Sequence, residues 1–187
     1  MLVVGIAGKK RSGKDTVAQM LMSCAERAGI PTARRAFADA LKEECARMIA
    51  AEPGFGQPEL EVLYRMHTDS TKEKYRLLLQ WWGTEFKRGM VSNTYWLDKM
   101  QAWLSSTGGS YNLVVIPDVR FPNEVEMVKQ LGGVIINVRR PGMVMEDEHI
   151  SEKALDTYEA WDSVVINDSD LKTLELEVAK LFILCTG

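Results

Sequence analysis

Short, nearly unbroken apolar runs alternate along the chain with longer stretches in which apolar residues return every three or four positions. The runs at Leu2–Ala7, Ala33–Phe37, Asn112–Ile116, Val134–Val138 and Val164–Ile166 predict strands, and their continuity predicts burial on both faces. The periodic stretches predict helices over roughly 14–28, 38–51, 59–67, 73–89, 93–106, 122–131 and 170–184. Strands that alternate with helices imply an α/β fold built on a parallel sheet. EPGFGQP (52–58) and STGGS (106–110) are the clearest loops, and neither separates segments large enough to be independent domains.

At 187 residues with 46% apolar content, the chain is one domain's worth of sequence. A charged fraction of 26% and a mean hydropathy of −0.14 exclude disordered and coiled-coil compositions. No apolar stretch approaches the ~18–20 residues of a membrane span, and the N-terminus lacks the order of a secretory signal. The expectation is a cytoplasmic protein with no membrane partner. Cys24, Cys45 and Cys185 are odd in number and sit among apolar neighbours, so they read as reduced thiols. His67 and His149 are too few and too far apart for a zinc site, which leaves any metal to oxygen ligands.

Splitting the net charge of −3 is more informative than the sum. Residues 1–140 carry 20 basic and 15 acidic side chains, whereas 141–187 carry 3 and 11. The basic surplus is too dilute for a nucleic-acid surface, and no direct nucleic-acid binding is expected.

The first strand runs into Gly8-Lys9-Lys10-Arg11-Ser12-Gly13-Lys14-Asp15-Thr16, which fits the phosphate-binding pattern G-x-x-x-x-G-K. A strand before it and a helix-forming run after it are the context this loop demands. Gly8 and Gly13 let successive N–H groups face phosphate oxygens, and the following helix adds its positive end. Lys14 would reach the β- and γ-phosphates. Asp15 stands where Ser or Thr usually ligates magnesium, so the carboxylate takes that role directly or through water, or the metal is held elsewhere. Gly5 and Gly8 are three apart, so the dinucleotide fingerprint G-x-G-x-x-G is absent.

No N-K-x-D base reader occurs, which argues against a GTPase. The strand at 112–116 is followed by Pro117-Asp118-Val119-Arg120, without the water-activating glutamate of motor ATPases. That favours transfer to a bound acceptor, with Arg76, Arg88, Arg120, Arg139 and Arg140 as the supply of neutralising cations. On a helical wheel, Tyr75, Leu79, Trp82 and Phe86 form a core stripe. Arg76, Gln80 and Thr84 form a polar stripe beside it, which reads equally as a ligand contact or as a solvated face.

Several segments together resemble the bacteriophage deoxynucleoside monophosphate kinases. They are GKKRSGKDT (8–16), FADALK (37–42), RLLLQWWGTE (76–85), Tyr95-Trp96, IPDVRFPNEVE (116–126), GGVIINVRRPG (132–142), HISE (149–152) and VVINDSDLKTLE (164–175). The likeness runs from end to end and is poorest between about 50 and 72. It implies a P-loop NTPase fold of the nucleoside-monophosphate-kinase type, a three-layer sandwich with a five-stranded parallel sheet. It also implies one domain over 1–187, with an acceptor-binding helical insertion at about 38–106 and a lid at about 140–158.

The resemblance further implies Mg2+ and ATP held by Gly8, Lys10, Arg11, Ser12, Gly13, Lys14, Asp15, Thr16 and Asn167, with Asp15 toward the metal and Asp168 beside Asn167. The acceptor monophosphate would meet Asp39, Lys42, Arg76, Gln80, Gly83, Thr84, Trp96, Asp118, Arg120 and Glu124. Lys14, Arg120 and Arg140, with Arg139 beside it, would neutralise the transferring phosphate, and His149, Ser151 and Glu152 would belong to the lid. A kinase for another phosphorylated small molecule, of the phosphomevalonate or dephospho-coenzyme A type, and a regulatory nucleotide-binding module without turnover are the competing readings. Base choice and oligomeric state, a homodimer included, are left open.

Overall fold

The computed structural model describes residues 1–54, 58–68, 73–107, 109–142 and 149–186. Residues 55–57 and 108 of the two expected loops, and 143–148 of the expected lid, lie outside the described residues. The chain forms two compact units, one of Met1–Ala36 with Leu104–Gly187 and one of Phe37–Trp103.

The first unit holds a five-stranded, all-parallel sheet in the order β2-β3-β1-β4-β5. Its strands are β1 (Leu2–Ala7), β2 (Thr32–Arg34), β3 (Leu113–Val119), β4 (Val134–Arg139) and β5 (Ser163–Ile166). Alternate side chains along each strand serve opposite faces. Val4, Ile6, Val115, Ile136 and Val138 pack with α1 (Lys14–Arg27) and the C-terminal helix Leu171–Thr186 in one core. Helix Pro122–Gln130 packs on β1 and β4 from the other side, which completes three layers.

Two strand boundaries differ by more than one residue from the sequence expectation. β2 ends at Arg34, because Phe37 is buried as the first residue of α2 (Phe37–Ala51). β3 continues past Ile116 to Val119, through a proline that has no N–H to give. The register of β1 against β3 shifts between Gly5 and Ala7, opposite that stretch.

The second unit contains α2, α3 (Glu59–His67), α4 (Arg76–Gln80) and α5 (Tyr95–Thr107), the last reaching into the first unit's span. A 3-10 turn, Glu73–Tyr75, precedes α4, and an eleven-residue π-helix, Trp81–Val91, continues it. The single regular helix expected over 73–89 is therefore three geometries in succession. The wider π turn stacks Trp81 on Phe86, five residues on, with centroids 5.6 Å apart, and Trp82 on the same ring at 4.8 Å. Tyr75, Leu79 and Trp82 of the expected core stripe pack on a cluster of Cys45, Ala46, Val62 and Met66, whereas Phe86 of that stripe stacks on Trp81 and Trp82. Burial pushes the Cys45 thiol up to about 12, so it is an inert packing group. All three cysteines are free.

Glu44 ties this unit together. Its carboxylate accepts from the Tyr95 hydroxyl at 2.6 Å and the Trp82 indole at 3.3 Å, with Lys99 at 3.4 Å and Lys87 at 3.6 Å. Burial works to raise its pKa, but the Tyr95 and Trp82 hydrogen bonds and Lys87 outweigh it and hold the group below its ordinary value. A depressed carboxylate contributes stability above its unfolded pKa, and that contribution is lost as pH falls through the folded value. Glu44→Gln should therefore cost about 2 kcal/mol at pH 7, with the gap to wild type closing as pH falls through the depressed folded value. Thermal melts of both proteins across pH 3–7 check this.

Among the described residues, no helix is long and apolar enough to cross a membrane.

Candidate active site

The chain enters the candidate site at the end of β1. Gly8 leaves the strand with φ +141° and Gly13 closes the loop with φ +104°, both in the left-handed region open to glycine. A Cβ on Gly8 would lie 2.3 Å from the Val138 carbonyl oxygen, and one on Gly13 would lie 2.4 Å from the Asn167 amide nitrogen. Arg11 between them also has a positive φ of 63°, a costly conformation for a residue with a side chain. α1 starts at Gly13 without a capping side chain, so the N–H groups of its first turn and the positive end of its dipole are presented to the loop.

Ser12 is 2% exposed, and its Oγ has no hydrogen-bond partner among the described residues. A buried hydroxyl left this way costs free energy, and an anionic oxygen in the loop would satisfy it. Lys14 is 8% exposed and donates to the Lys9 carbonyl at 2.6 Å. Burial, and after it the Arg120 guanidinium, push its pKa down to about 8 against the pull of Glu152, Asp15 and Asp118. The Asn167 amide donates to the Ser12 carbonyl at 2.9 Å, while its backbone N–H donates to the Arg139 carbonyl at 2.7 Å. Asn167 thus fastens the loop to the end of β4.

A second cluster flanks the loop. Arg120, just past β3, is paired with Glu152 in the short helix Ile150–Lys153, and Glu152 also accepts the Lys10 N–H at 2.9 Å. Lys9 donates to the Glu152 carbonyl at 2.5 Å and pairs with Asp156. Glu124 is 2% exposed and accepts the backbone N–H groups of Arg120 at 2.7 Å and Phe121 at 3.2 Å. Its carboxylate closes the start of the helix at 122–130 and fixes the backbone that carries Arg120. Arg139 and Arg140 are exposed and border a cavity of about 450 Å³ together with Arg120, Glu152, Tyr158 and Trp161. Asp118 is half-buried within β3.

Asp15 is exposed and paired with Arg34 at 3.2 Å. Among the described residues no three His, Cys, Asp or Glu side chains gather as a metal site. A hard cation that keeps waters and phosphate oxygens as ligands needs little more than one carboxylate from the protein, and Asp15 beside the loop fits that donor set.

The expected acceptor contacts Asp39, Lys42, Arg76, Gln80, Gly83, Thr84 and Trp96 belong to the second unit. Asp39 lies in the first turn of α2. The Lys42 ammonium is 3.1 Å from the His67 ring. Arg76 opens α4 and pairs with Glu73 at 3.5 Å, Gln80 closes that helix, and Thr84 falls in the π segment. Because the π turn is wider, Thr84 leaves the line that an α-helix would draw through Arg76 and Gln80. Gly83 is buried, and a Cβ there would meet Leu41 at 2.8 Å. Trp96 is 5% exposed and donates to the Gly83 carbonyl at 2.8 Å. The close approach that Gly83 permits is that of Leu41. Arg34 and Asp156 were not found from the sequence, since their partners lie 19 and 147 residues away.

Residues 56–178 match the protein family described as deoxynucleotide monophosphate kinase. A provisionally named deoxynucleotide monophosphate kinase of Acanthamoeba polyphaga mimivirus is 30% identical over 191 residues, which cover 94% of this chain and 91% of that one. The deoxynucleotide monophosphate kinase of Enterobacteria phage T4 is 30% identical over 100 residues, 53% of this chain and 41% of its own length. A solved gluconokinase from Sinorhizobium meliloti 1021 aligns over 98% of this chain and 93% of its own at 16% identity and a TM-score of 0.47, too distant to carry an argument. The family match begins after the phosphate loop, so the loop stands on its own geometry.

Proposed function

This chain belongs to the deoxynucleotide monophosphate kinase family, and from that premise we propose that it transfers the γ-phosphate of ATP to a deoxynucleoside 5′-monophosphate, releasing ADP and the diphosphate. The observation that carries this reading is the loop itself. Left-handed glycines, a buried serine hydroxyl with no partner among the described residues and a buried lysine converge at the start of α1, with Arg120 paired to a buried carboxylate.

In this reading an oxygen of the acceptor phosphate attacks the γ-phosphorus, and the β–γ bridging oxygen leaves with ADP. The acceptor is already ionised, so no strong general base is needed, and positioning and charge neutralisation carry the rate. Residues Gly8, Lys10, Arg11, Ser12, Gly13 and Thr16 hold the donor's phosphate tail, and Lys14 meets its β- and γ-oxygens. Arg120 and Arg140 face the charge of the migrating group. Magnesium, when bound, neutralises phosphate oxygens, with Asp15 as its protein ligand. Glu124 and Asn167 act as scaffolding for Arg120 and the loop. The unit at 37–103 forms most of the acceptor-binding insertion, where Asp39, Lys42, Arg76 and Gln80 are the polar groups offered to the monophosphate. Gly83 and Trp96 hold one another and shape that surface. Residues 140–158 serve as the lid, and the protein works in the cytoplasm.

Two outcomes check the division of labour. Arg76→Ala should raise the KM for the monophosphate roughly 10- to 100-fold, the worth of a charged hydrogen bond, and leave the KM for ATP nearly unchanged. Equal losses for both ligands would remove Arg76 from the acceptor side. The second outcome is a pH limb. Lys14 neutralises phosphate only while protonated, so kcat/KM for ATP should fall above about pH 8 with a one-proton slope. Bound phosphate holds the proton on Lys14, so kcat itself should persist to higher pH. Initial-rate profiles from pH 6 to 10 separate the two.

A further inference from the structure

Glu152 has a placement that a lid role alone does not explain. It is 7% exposed, although a buried carboxylate is costly unless it is paired and hydrogen-bonded. One carboxylate oxygen pairs with Arg120, the other accepts the Lys10 N–H at 2.9 Å, and its backbone carbonyl accepts the Lys9 ammonium at 2.5 Å. These partners lie 32, 142 and 143 positions away in the chain and come from two different strand ends. His149 caps its short helix by accepting the Ser151 N–H, which fixes the backbone on which Glu152 stands. Such a pair is weak evidence for stability, since apolar residues of the same volume often do as well. Its content is geometric: it sets a guanidinium at a fixed distance from the phosphate loop. Its charge also opposes the repulsion that Arg120 exerts on Lys14.

We propose that Glu152 is a positioning residue of phosphoryl transfer, holding Arg120 and the Lys9–Lys10 backbone in register so that the Arg120 charge is already aimed when the phosphoryl group moves. The inference rests on the kinase reading above and deepens it. Glu152 touches neither reacting phosphate and acts through Arg120. The contrary role for the same contacts is a latch, in which the carboxylate competes with nucleotide phosphate for the Lys10 N–H.

The test uses the full chain with Glu152→Gln, which keeps the shape and an acceptor oxygen but removes the charge. Steady-state rates of ADP formation with a deoxynucleoside monophosphate are measured well below the melting temperature, with ATP affinity measured separately by calorimetry. The expected result is a kcat lowered roughly 10- to 100-fold, the scale of a misplaced catalytic group, with the ATP dissociation constant within threefold of wild type. Glu152→Asp, with the charge on a shorter stem, should recover part of the loss. It decides by the same criterion if the glutamine variant does not fold. A kcat within twofold of wild type overturns the proposal, and so does ATP binding that tightens without loss of kcat, the result a latch gives. A wild-type protein that shows no acceptor-dependent ADP formation overturns the kinase reading first and the proposal with it.

Discussion

Lys14→Ala removes turnover, by about 1,000-fold or more, and leaves the fold in place. The ammonium is nearly buried, with the Lys9 carbonyl as its hydrogen-bond acceptor, at the start of a helix whose first-turn N–H groups are presented to the same loop. Lys9 is committed to Asp156 and the Glu152 carbonyl, and Arg120 to Glu152, so neither takes its place. Stability should change little. Burial is the first cause of the depressed Lys14 pKa, so the folded state gives up solvation to keep this charge inside, and the variant is relieved of that cost. Circular dichroism melts and ADP-release rates on the same preparation check both halves. Near-normal activity in a folded variant would remove the loop from the chemistry.

Arg120→Met acts on both stability and rate. The Glu152 side chain is 3% exposed, and without Arg120 it becomes a buried charge lacking its partner, a loss of about 3–5 kcal/mol at pH 7. The pH dependence has a definite sign. In the wild type, burial would raise the Glu152 carboxyl, but Arg120 first, then the Lys10 N–H and Lys14, bring it below its ordinary value. That contribution is present above the unfolded pKa and is lost as pH falls through the folded one. In the variant burial wins, the group is protonated more readily, and the deficit narrows as the solution is acidified. Urea unfolding at pH 7 and pH 4.5 measures the difference. Arg120→Met with Glu152→Gln should recover most of the stability, since no buried charge is left unpaired, and none of the activity, since the charge proposed to face the reacting phosphate is still missing. Recovery of turnover in the double variant would show that Arg120 does not act on the reacting phosphate.

The sheet and the loop were legible because both are written locally. An apolar run of five or six residues declares a strand buried on both faces, and the glycine, lysine and helix of the phosphate loop lie within nine positions of one another. What failed was equally physical. Pro117 and Asp118 read as the end of a strand, yet β3 carries them to Val119 by shifting its register against β1. The periodicity of 75–88 fits an α-helix and gives no sign that the turn widens at Trp81, a choice tied to the Trp81, Trp82 and Phe86 stack and to the anchoring of Lys87 between Glu44 and Tyr95. The resemblance makes Trp96 and Gly83 acceptor contacts, and the hydrogen bond from the Trp96 indole to the Gly83 carbonyl is a long-range fact that no spacing announces. The same holds for Glu152, Asp156 and Arg34, whose partners come from distant parts of the chain.

The central claim is acceptor-dependent transfer. ADP release from Mg-ATP is measured alone, then with each of the four deoxynucleoside monophosphates, and then with phosphomevalonate and dephospho-coenzyme A as non-nucleotide acceptors. Release should be slow with ATP alone, rise sharply with at least one deoxynucleoside monophosphate, and not respond to the other two compounds. ATP binding with no acceptor-stimulated release, or stimulation by a non-nucleotide acceptor alone, would contradict it.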